Sequence, residues 1–193
     1  MSWAVFLDRD GTINEPVGLI ARPDQLRLIP GAAAALKLLK DAGALLLLVT
    51  NQPVVAREII DEAGLQLIHD RLQELLAEQG VALDGIFYCP HHPETHHPEA
   101  SNPRYRRDCE CRKPKPGMIL AAAEKFNVDI GSSYLVGDST RDIAAALAAG
   151  CIPLLVKTGS GGADGTCPDA EPEAVLDDLA GAARWILEHR MAA

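Results

Sequence analysis

The segment WAVFLDRDGT, residues 3–12, joins a short apolar run to two closely spaced carboxylates. Trp3–Leu7 has the length and the unbroken apolar character of a strand that is covered on both faces. Asp8 and Asp10 follow this strand directly, and ligands of open α/β sheets bind where the strands end. Two carboxylates in that position fit a metal site and an acid–base pair, although the same sequence pattern also fits an Asp-Gly turn with solvated carboxylates.

The rest of the chain alternates short apolar runs with amphipathic segments of helical period. Strands are predicted at Trp3–Leu7, Leu45–Val49, Gly85–Tyr88, Tyr134–Val136 and Pro153–Val156. Helices are predicted at Ala32–Asp41, Asp61–Gln79, Pro116–Phe126, Thr140–Ala149 and Asp177–Arg190. The alternation predicts an α/β fold, a doubly wound parallel sheet with helices on both faces, which residues 1–193 form as a single domain. Gly159–Gly165 is expected to be a flexible loop.

Composition and charge favour a small-molecule partner over nucleic acid or a membrane. The formal net charge is −9 over 193 residues, whereas phosphate backbones and anionic lipids require a basic face. Six of the 18 Lys and Arg residues lie between Arg104 and Lys115, so a phosphate-binding surface should include that stretch. The longest apolar run, Ala42–Val49, is far shorter than a membrane helix, and no signal-peptide pattern opens the chain. We therefore expect a cytoplasmic monomer with reduced cysteines.

Three further groups of polar residues follow predicted strands or precede a helix. Thr50 and Asn51 directly follow the second strand, where a hydroxyl and a backbone N–H suit a phosphate oxygen. Arg112 and Lys113 precede the third helix, and GDSTRD, residues 137–142, follows the fourth strand. Each group alone also fits an ordinary turn, a solvated basic loop or a helix cap.

The irregular stretch between the third strand and the third helix contains a set of metal-ligand residue types. Cys89 and His91 form one short arm, and Cys109 and Cys111 form another. Three thiolates and one imidazole make a closed tetrahedral set, which predicts a structural zinc ion and a zinc loop over residues 89–111. The alternative is a His-rich surface loop with reduced thiols. His92 is a competing ligand, whereas His96 and His97 are expected to be solvated.

The order strand–DxDGT, strand–TN, RK before a helix and strand–GDSxxD resembles the four-motif pattern of the haloacid dehalogenase superfamily. YCPHHPE and CECRKPKPGM, together with DRDGTIN and TNQ, resemble the D-glycero-D-manno-heptose 1,7-bisphosphate 7-phosphatases of that superfamily. The histidinol-phosphate phosphatases share this plan, and both groups lack a separate cap domain. The resemblance implies a Rossmann-like fold and hydrolysis of a small phosphorylated sugar. Histidinol phosphate is the rival substrate, and a zinc-loop binding module without catalysis is the alternative from another class.

The resemblance also implies a role for each motif residue. Asp8 is the expected nucleophile, and Asp10 is the expected general acid and then general base. Thr50 and Lys113 would hold the transferring phosphoryl group, while Asp8, the backbone carbonyl of Asp10 and Asp138 would hold Mg²⁺. Asp142 is expected to lie behind these ligands or on the helix surface.

Substrate selection in a capless phosphatase falls to the loops around the site. The expected substrate-binding residues are Arg9, Pro16, Val17, Gly18, Leu19, Asn51, Gln52, Pro53, Arg57, Arg112 and Ser139. Where the heptose phosphatases usually read TNQSGIARG, this chain reads TNQPVVARE over residues 50–58. Pro53 removes a backbone N–H, Val54 replaces a glycine and Glu58 adds a negative charge, so these three residues bear on the choice of substrate.

Overall fold

A six-stranded, fully parallel sheet runs through the computed structural model, which describes residues 2–93 and 102–191. The strands are β1 Ala4–Leu7, β2 Leu45–Asn51, β3 Gly85–Cys89, β4 Tyr134–Gly137, β5 Ile152–Val156 and β6 Ala174–Leu176. Their order across the sheet is β3-β2-β1-β4-β5-β6, with β1 paired to β2 on one side and β4 on the other. The chain changes direction across the sheet between β1 and β4, and this switch point opens a crevice at the carboxyl ends of the strands.

Five α-helices cover the two faces of the sheet in the described residues. They are α1 Ala32–Asp41, α2 Glu62–Ala77, α3 Gly117–Phe126, α4 Thr140–Ala149 and α5 Leu179–Met191. Alternate side chains of β1 point to opposite faces, so Val5 and Leu7 pack with α1, α2 and α5 while Ala4 and Phe6 pack with α3 and α4. The predicted doubly wound parallel sheet is confirmed, and the predicted helices and first five strands are present with small changes at their ends.

The edge strand β6 was not predicted from the sequence. Val175, in the middle of this strand, is 50% exposed, so Ala174–Leu176 lacks the apolar run of a covered strand. β6 exists because its backbone pairs with β5, which is an interaction that sequence periodicity does not report.

The connections that precede and follow β2 contain few helices and strands. Between β1 and β2 lie a 3₁₀ turn, Pro23–Gln25, and α1. Between β2 and α3 lie α2, β3 and the loop with the cysteines, of which residues 94–101 fall outside the described part, including His96 and His97. Within residues 2–93 and 102–191 these connections contain no second sheet or helical layer over the strand ends. No helix in this described part is long and apolar enough to cross a bilayer.

Candidate active site

A cavity of about 360 Å³ opens at the carboxyl edge of the sheet, at the switch point between β1 and β4. It is lined by Asp8, Asp10, Pro16, Gly18, Leu19, Thr50, Asn51, Pro53, Arg112, Lys113, Asp138, Ser139, Arg141, Asp142, Ser160 and Asp164. Five segments that are remote in sequence therefore meet here, as the strand-end rule predicts. The structure brings together most of the residues that the motifs single out.

Lys113 is the central cation of this cavity. Its side chain is 3% exposed, and its ammonium nitrogen lies 2.8 Å from Asp8 Oδ1 and 2.6 Å from Asp142 Oδ1. It also donates to the backbone carbonyl of Val49 at 2.7 Å. Burial works against the charge, but the carboxylates of Asp142 and Asp8 outweigh it and raise the pKa of Lys113. The raised pKa favours the charged form of Lys113, which contacts the predicted nucleophile.

Asn51 fixes the backbone that carries Lys113. Its side-chain nitrogen donates to the Lys113 carbonyl at 3.0 Å, and its side-chain oxygen accepts from the Lys113 N–H at 3.1 Å. This paired contact ties the end of β2 to the segment before α3. The sequence predicted that Asn51 would bind substrate through its backbone, whereas its side chain is used to position the lysine.

Three carboxylates, those of Asp8, Asp138 and Asp142, place oxygen atoms within 4.8 Å of one another. Burial, reinforced by the charge of Asp8, raises the pKa of Asp138 to about 6. Burial also raises the pKa of Asp142 to about 7, against the opposing effect of Lys113. Crowded, poorly hydrated carboxylates of this kind fit a hard divalent cation, which relieves their repulsion. Asp142 is 1% exposed, so of its two expected places the helix surface is wrong.

Two glycines and a serine enclose Asp138. Gly11 and Gly159 have φ values of 81° and 68°, and a Cβ atom on either would lie 2.6 Å or 2.1 Å from Asp138 Oδ2. Ser160 donates its backbone N–H to Asp138 Oδ2 at 2.6 Å, and Thr158 donates its hydroxyl to the Gly11 carbonyl at 2.6 Å. Thr158–Ser160 is thus part of the site, although the sequence predicted a flexible loop from Gly159. The available signal was its position directly after β5.

The Asp10 carboxylate is held by three side chains. It accepts hydrogen bonds from Arg9 at 3.0 and 3.2 Å, from Asn14 at 2.9 Å and from Gln52 at 3.0 Å. Burial opposes ionisation, but Arg9 and these hydrogen bonds keep the pKa of Asp10 below its usual value. Arg9 and Gln52 are 0% and 2% exposed and are not among the residues that line the cavity, so their contact with substrate stays a prediction. In this structure both side chains orient the Asp10 carboxylate.

The four predicted zinc ligands converge in one cluster. The three sulfur atoms of Cys89, Cys109 and Cys111 lie 3.3 to 3.5 Å apart. His91 Nδ1 lies 3.7 Å from the Cys89 sulfur and 3.4 Å from the Cys111 sulfur. These are the edges of a small tetrahedron of three sulfurs and one nitrogen, which fits a closed zinc site. His92 does not belong to this cluster, and its backbone N–H bonds to the Tyr105 carbonyl.

The metal-like cluster is linked directly to the cavity through Arg112. The guanidinium of Arg112 donates to the His91 carbonyl at 2.9 Å, while Arg112 itself lines the cavity. Burial lowers the pKa of Arg112, and the nearby charge of Arg141 adds to this effect. The loop geometry therefore decides where Arg112 points.

Several residues around the cavity depart from the sequence-based expectation. Arg57 and Val17 do not line it, whereas Arg141 and Asp164 do. Glu58, which adds a negative charge in the sequence, lines a separate cavity with Arg104 and Tyr105. Arg141 occupies the first turn of α4, and the sequence offered no signal for its direction beyond its place in GDSTRD.

Comparison with known proteins places this geometry in a family. Residues 110–182 match a family model described as HAD-hydrolase-like. The D-glycero-beta-D-manno-heptose-1,7-bisphosphate 7-phosphatase of Escherichia coli (strain K12) is 42% identical over 180 residues, which cover 92% of this chain and 90% of that protein. The enzyme of the same name from Photorhabdus laumondii is 44% identical over 157 residues, or 81% of each chain. This chain belongs to the heptose bisphosphate phosphatases of the HAD-like hydrolases.

Solved structures of heptose bisphosphate phosphatases have the same fold. The D,D-heptose 1,7-bisphosphate phosphatase from B. bronchiseptica, complexed with magnesium and phosphate, has a TM-score of 0.81 and 38% identity, covering 97% of this chain and 99% of that one. The corresponding phosphatase from Burkholderia thailandensis has a TM-score of 0.69 and 29% identity, covering 96% and 98% of the two chains. The HAD-like fold predicted for this chain is therefore confirmed over nearly its whole length.

Proposed function

We propose that this phosphatase removes the 7-phosphate of D-glycero-D-manno-heptose 1,7-bisphosphate by way of a phosphorylated Asp8. The observation that carries the proposal is the contact of Asp8 with the buried Lys113, at 2.8 Å, at the floor of a cavity that Arg112 also lines. A sugar with two phosphates fits this layout because one phosphate reaches Asp8 while the other remains near the arginine. The names of the relatives support the same substrate.

Asp8 acts as the nucleophile in this proposal. Its carboxylate oxygen attacks phosphorus in line, and the bond from phosphorus to the C7 oxygen breaks. Lys113 neutralises charge on Asp8 and on the transferring group. Thr50 already accepts a hydrogen bond from Gln52 at 3.0 Å, so its own O–H is left to donate to a phosphoryl oxygen.

Asp10 handles the protons in both half-reactions. Its protonated form gives a proton to the departing C7 oxygen, and its carboxylate then takes a proton from the water that cleaves the phosphorylated Asp8. Arg9, Asn14 and Gln52 hold Asp10 ionised before substrate arrives. An incoming phosphate dianion raises the pKa of the neighbouring carboxyl, because like charges disfavour ionisation, and so allows the proton to bind.

Mg²⁺ would be held by Asp8, Asp138 and the backbone carbonyl of Asp10. Asp142 would lie next to these ligands, in contact with Lys113. When bound, the cation offsets the repulsion between the Asp8 carboxylate and the phosphate. Cys89, His91, Cys109 and Cys111 would hold a structural Zn²⁺ with no open position for water. The zinc loop then serves the reaction indirectly, because the His91 carbonyl fixes Arg112.

A comparison of two phosphate esters tests the proposed substrate. We expect kcat/KM for heptose 1,7-bisphosphate to exceed that for histidinol phosphate by at least about 100-fold, about 2.7 kcal/mol of differential transition-state binding. Histidinol phosphate has no second phosphate for an arginine and has a cationic amine instead. EDTA should abolish turnover of both esters, and added Mg²⁺ should restore it. A higher kcat/KM for histidinol phosphate would exclude the heptose assignment.

A further inference from the structure

Arg141 is a cavity-lining cation that the proposed chemistry does not use. Its side chain is 37% exposed, and its Nε atom donates to Ser139 Oγ at 3.2 Å and lies 3.8 Å from an oxygen of Asp164. Neither terminal nitrogen of this guanidinium has a hydrogen-bond partner among residues 2–93 and 102–191. The inner edge of the group is thus fixed while its outer, fork-shaped edge is left for a ligand.

The position of Arg141 is not explained by the stability of α4. It lies in the first turn of the helix, where the helix dipole favours acidic side chains and disfavours basic ones. The helix start is already complete, because Ser139 and Asp142 form a reciprocal capping box. A cation at this place therefore works against the local electrostatic preference, which is typical of a residue kept for a site.

Asp164 holds Arg141 in its direction. One oxygen of Asp164 accepts from the Thr140 N–H at 2.7 Å and from the Thr140 hydroxyl at 2.9 Å. Burial opposes the charge of Asp164, but hydrogen bonds, first among them that of the Thr140 N–H, lower its pKa to about 2, so the carboxylate stays charged beside Arg141. The segment after β5 thus orients the arginine from behind.

The other basic groups near the cavity either form ion pairs with carboxylates or do not line the cavity. Lys113 is paired with Asp8 and Asp142, and Arg9 is fully buried against Asp10. Arg57 does not line the cavity. Among the described residues, Arg112 and Arg141 are the cations left to meet a second anion there. An arginine fork pairs two oxygens of one phosphate, so two arginines that line the same cavity suit a phosphate dianion.

We propose that Arg141, together with Arg112, binds the second phosphate of the substrate, in place of Arg57, which the sequence predicts as a substrate-binding residue. This inference rests on the proposed function, in which the first phosphate is cleaved at Asp8. Arg141 is then a specificity-determining residue for bisphosphates. It recognises the phosphate that is not cleaved and takes no part in bond breaking.

The test compares two substrates that differ only in the second phosphate. Heptose 1,7-bisphosphate and heptose 7-phosphate are assayed with wild type, Arg141→Gln, Arg141→Lys and Arg57→Gln. We expect Arg141→Gln to lower kcat/KM for the bisphosphate at least about 10-fold, mainly through KM, and to change the value for the 7-phosphate by less than about 3-fold. Arg141→Lys should recover part of the loss, because it keeps the charge without the fork. Arg57→Gln should leave the ratio of the two substrates unchanged.

The possible outcomes separate this inference from the proposed function. If wild type cleaves the bisphosphate no better than the 7-phosphate, the proposed substrate fails and the inference fails with it. If wild type prefers the bisphosphate but Arg141→Gln lowers kcat/KM equally for both substrates, the proposed function stands and the inference is overturned. A changed ratio in Arg57→Gln alone would also overturn it. Melting temperatures of the variants are measured alongside, since unfolded protein lowers the apparent kcat for both substrates by the same factor.

Discussion

Four hydrogen bonds from three side chains hold the Asp10 carboxylate, while the neighbouring Asp8, the proposed nucleophile, has one lysine contact at 2.8 Å. Two carboxylates of one short motif therefore have different surroundings, and their chemistry differs accordingly. Asp10 is fixed in direction and ionised until substrate arrives. Asp8 faces the cavity beside Lys113, where an attacking oxygen is required.

Replacing the nucleophile should remove turnover without unfolding the protein. In Asp8→Asn, Lys113 keeps Asp142 at 2.6 Å and the Val49 carbonyl at 2.7 Å, so its buried charge remains paired. We expect kcat to fall at least about 100-fold, as for the loss of one catalytic group, with a melting temperature close to wild type. Steady-state kinetics and thermal unfolding measure the two quantities. A variant that retains more than about a tenth of wild-type kcat would show that Asp8 is not the nucleophile.

Asp10→Asn should separate the two half-reactions when the leaving group needs no proton. With p-nitrophenyl phosphate, Asp8 is still able to attack, but the water that cleaves the phosphorylated enzyme lacks its base. We expect a burst of nitrophenolate close to one equivalent per chain, followed by turnover at least about 100-fold slower than in wild type. Stopped-flow absorbance records the burst, and Asp8→Asn is the matched control without one. Slow turnover with no burst would contradict the role of Asp10 in the second step.

The loop between β3 and α3 joins the metal-like cluster to α2 as well as to the cavity. Glu62, in the first turn of α2, accepts hydrogen bonds from the hydroxyls of Tyr88 and Tyr105. These two hydrogen bonds lower the pKa of Glu62, and the bond from Tyr105 has the larger effect. The two short Cys and His arms were readable in the sequence because metal ligands have distinctive types and spacing. The tyrosine contacts were not readable, because they depend on how the loop packs on the helix.

Loss of the proposed zinc site should affect both stability and bisphosphate recognition. Cys109→Ser removes one of the four clustered ligands, and Cys167→Ser is the matched control because Cys167 lies outside the cluster. We expect Cys109→Ser to lose most of its zinc, to melt at a lower temperature and to show a higher KM for the bisphosphate, since the His91 carbonyl no longer fixes Arg112. Elemental analysis, calorimetry and kinetics provide the readouts. Wild-type protein without zinc, prepared without chelator, would contradict the assignment.

A buried histidine in α2 should make the free energy of unfolding depend on pH. His69 is 1% exposed, and burial, followed by the charge of Arg9, lowers its pKa to about 4. The unfolded chain, with a histidine pKa of about 6.5, binds more protons below that pH, so the contribution of His69 to stability is complete above pH 6.5 and declines as the pH falls towards 4. We expect this contribution to drop by about 2 kcal/mol between pH 7.5 and pH 5.

The comparison with His69→Phe isolates this effect from other titrating groups. Phenylalanine keeps an aromatic ring beside Tyr88, whose ring centroid is 5.5 Å from that of His69. Urea unfolding of both proteins at pH 7.5 and pH 5 gives the difference directly. An equal pH dependence of the free energy of unfolding in the two proteins would mean that His69 binds its proton at the same pH in the folded and the unfolded chain.

At the scale of the whole molecule, the sequence predicted most of what lies at strand ends and little of what depends on side-chain direction. Asp8, Thr50, Lys113 and Asp138 meet because parallel strands end at one edge of a sheet, which is a consequence of topology. Whether an arginine enters the cavity depends on how its helix is rotated and on what lies behind it. The sequence therefore favoured Arg57, whereas the docking of Asp164 on α4 brings Arg141 into the cavity.

Lys113 draws its partners from segments that leave the ribosome at different times. Asp8 and Val49 are synthesised before it, but Asp142 follows only with α4. A nascent chain that stalls before α4 has the nucleophile and its lysine, yet lacks the second carboxylate that allows the ammonium group to be buried. Proteolytic fragments that separate β1 from α4 have the same deficiency. Phosphatase activity of this protein therefore requires chains that were synthesised through α4.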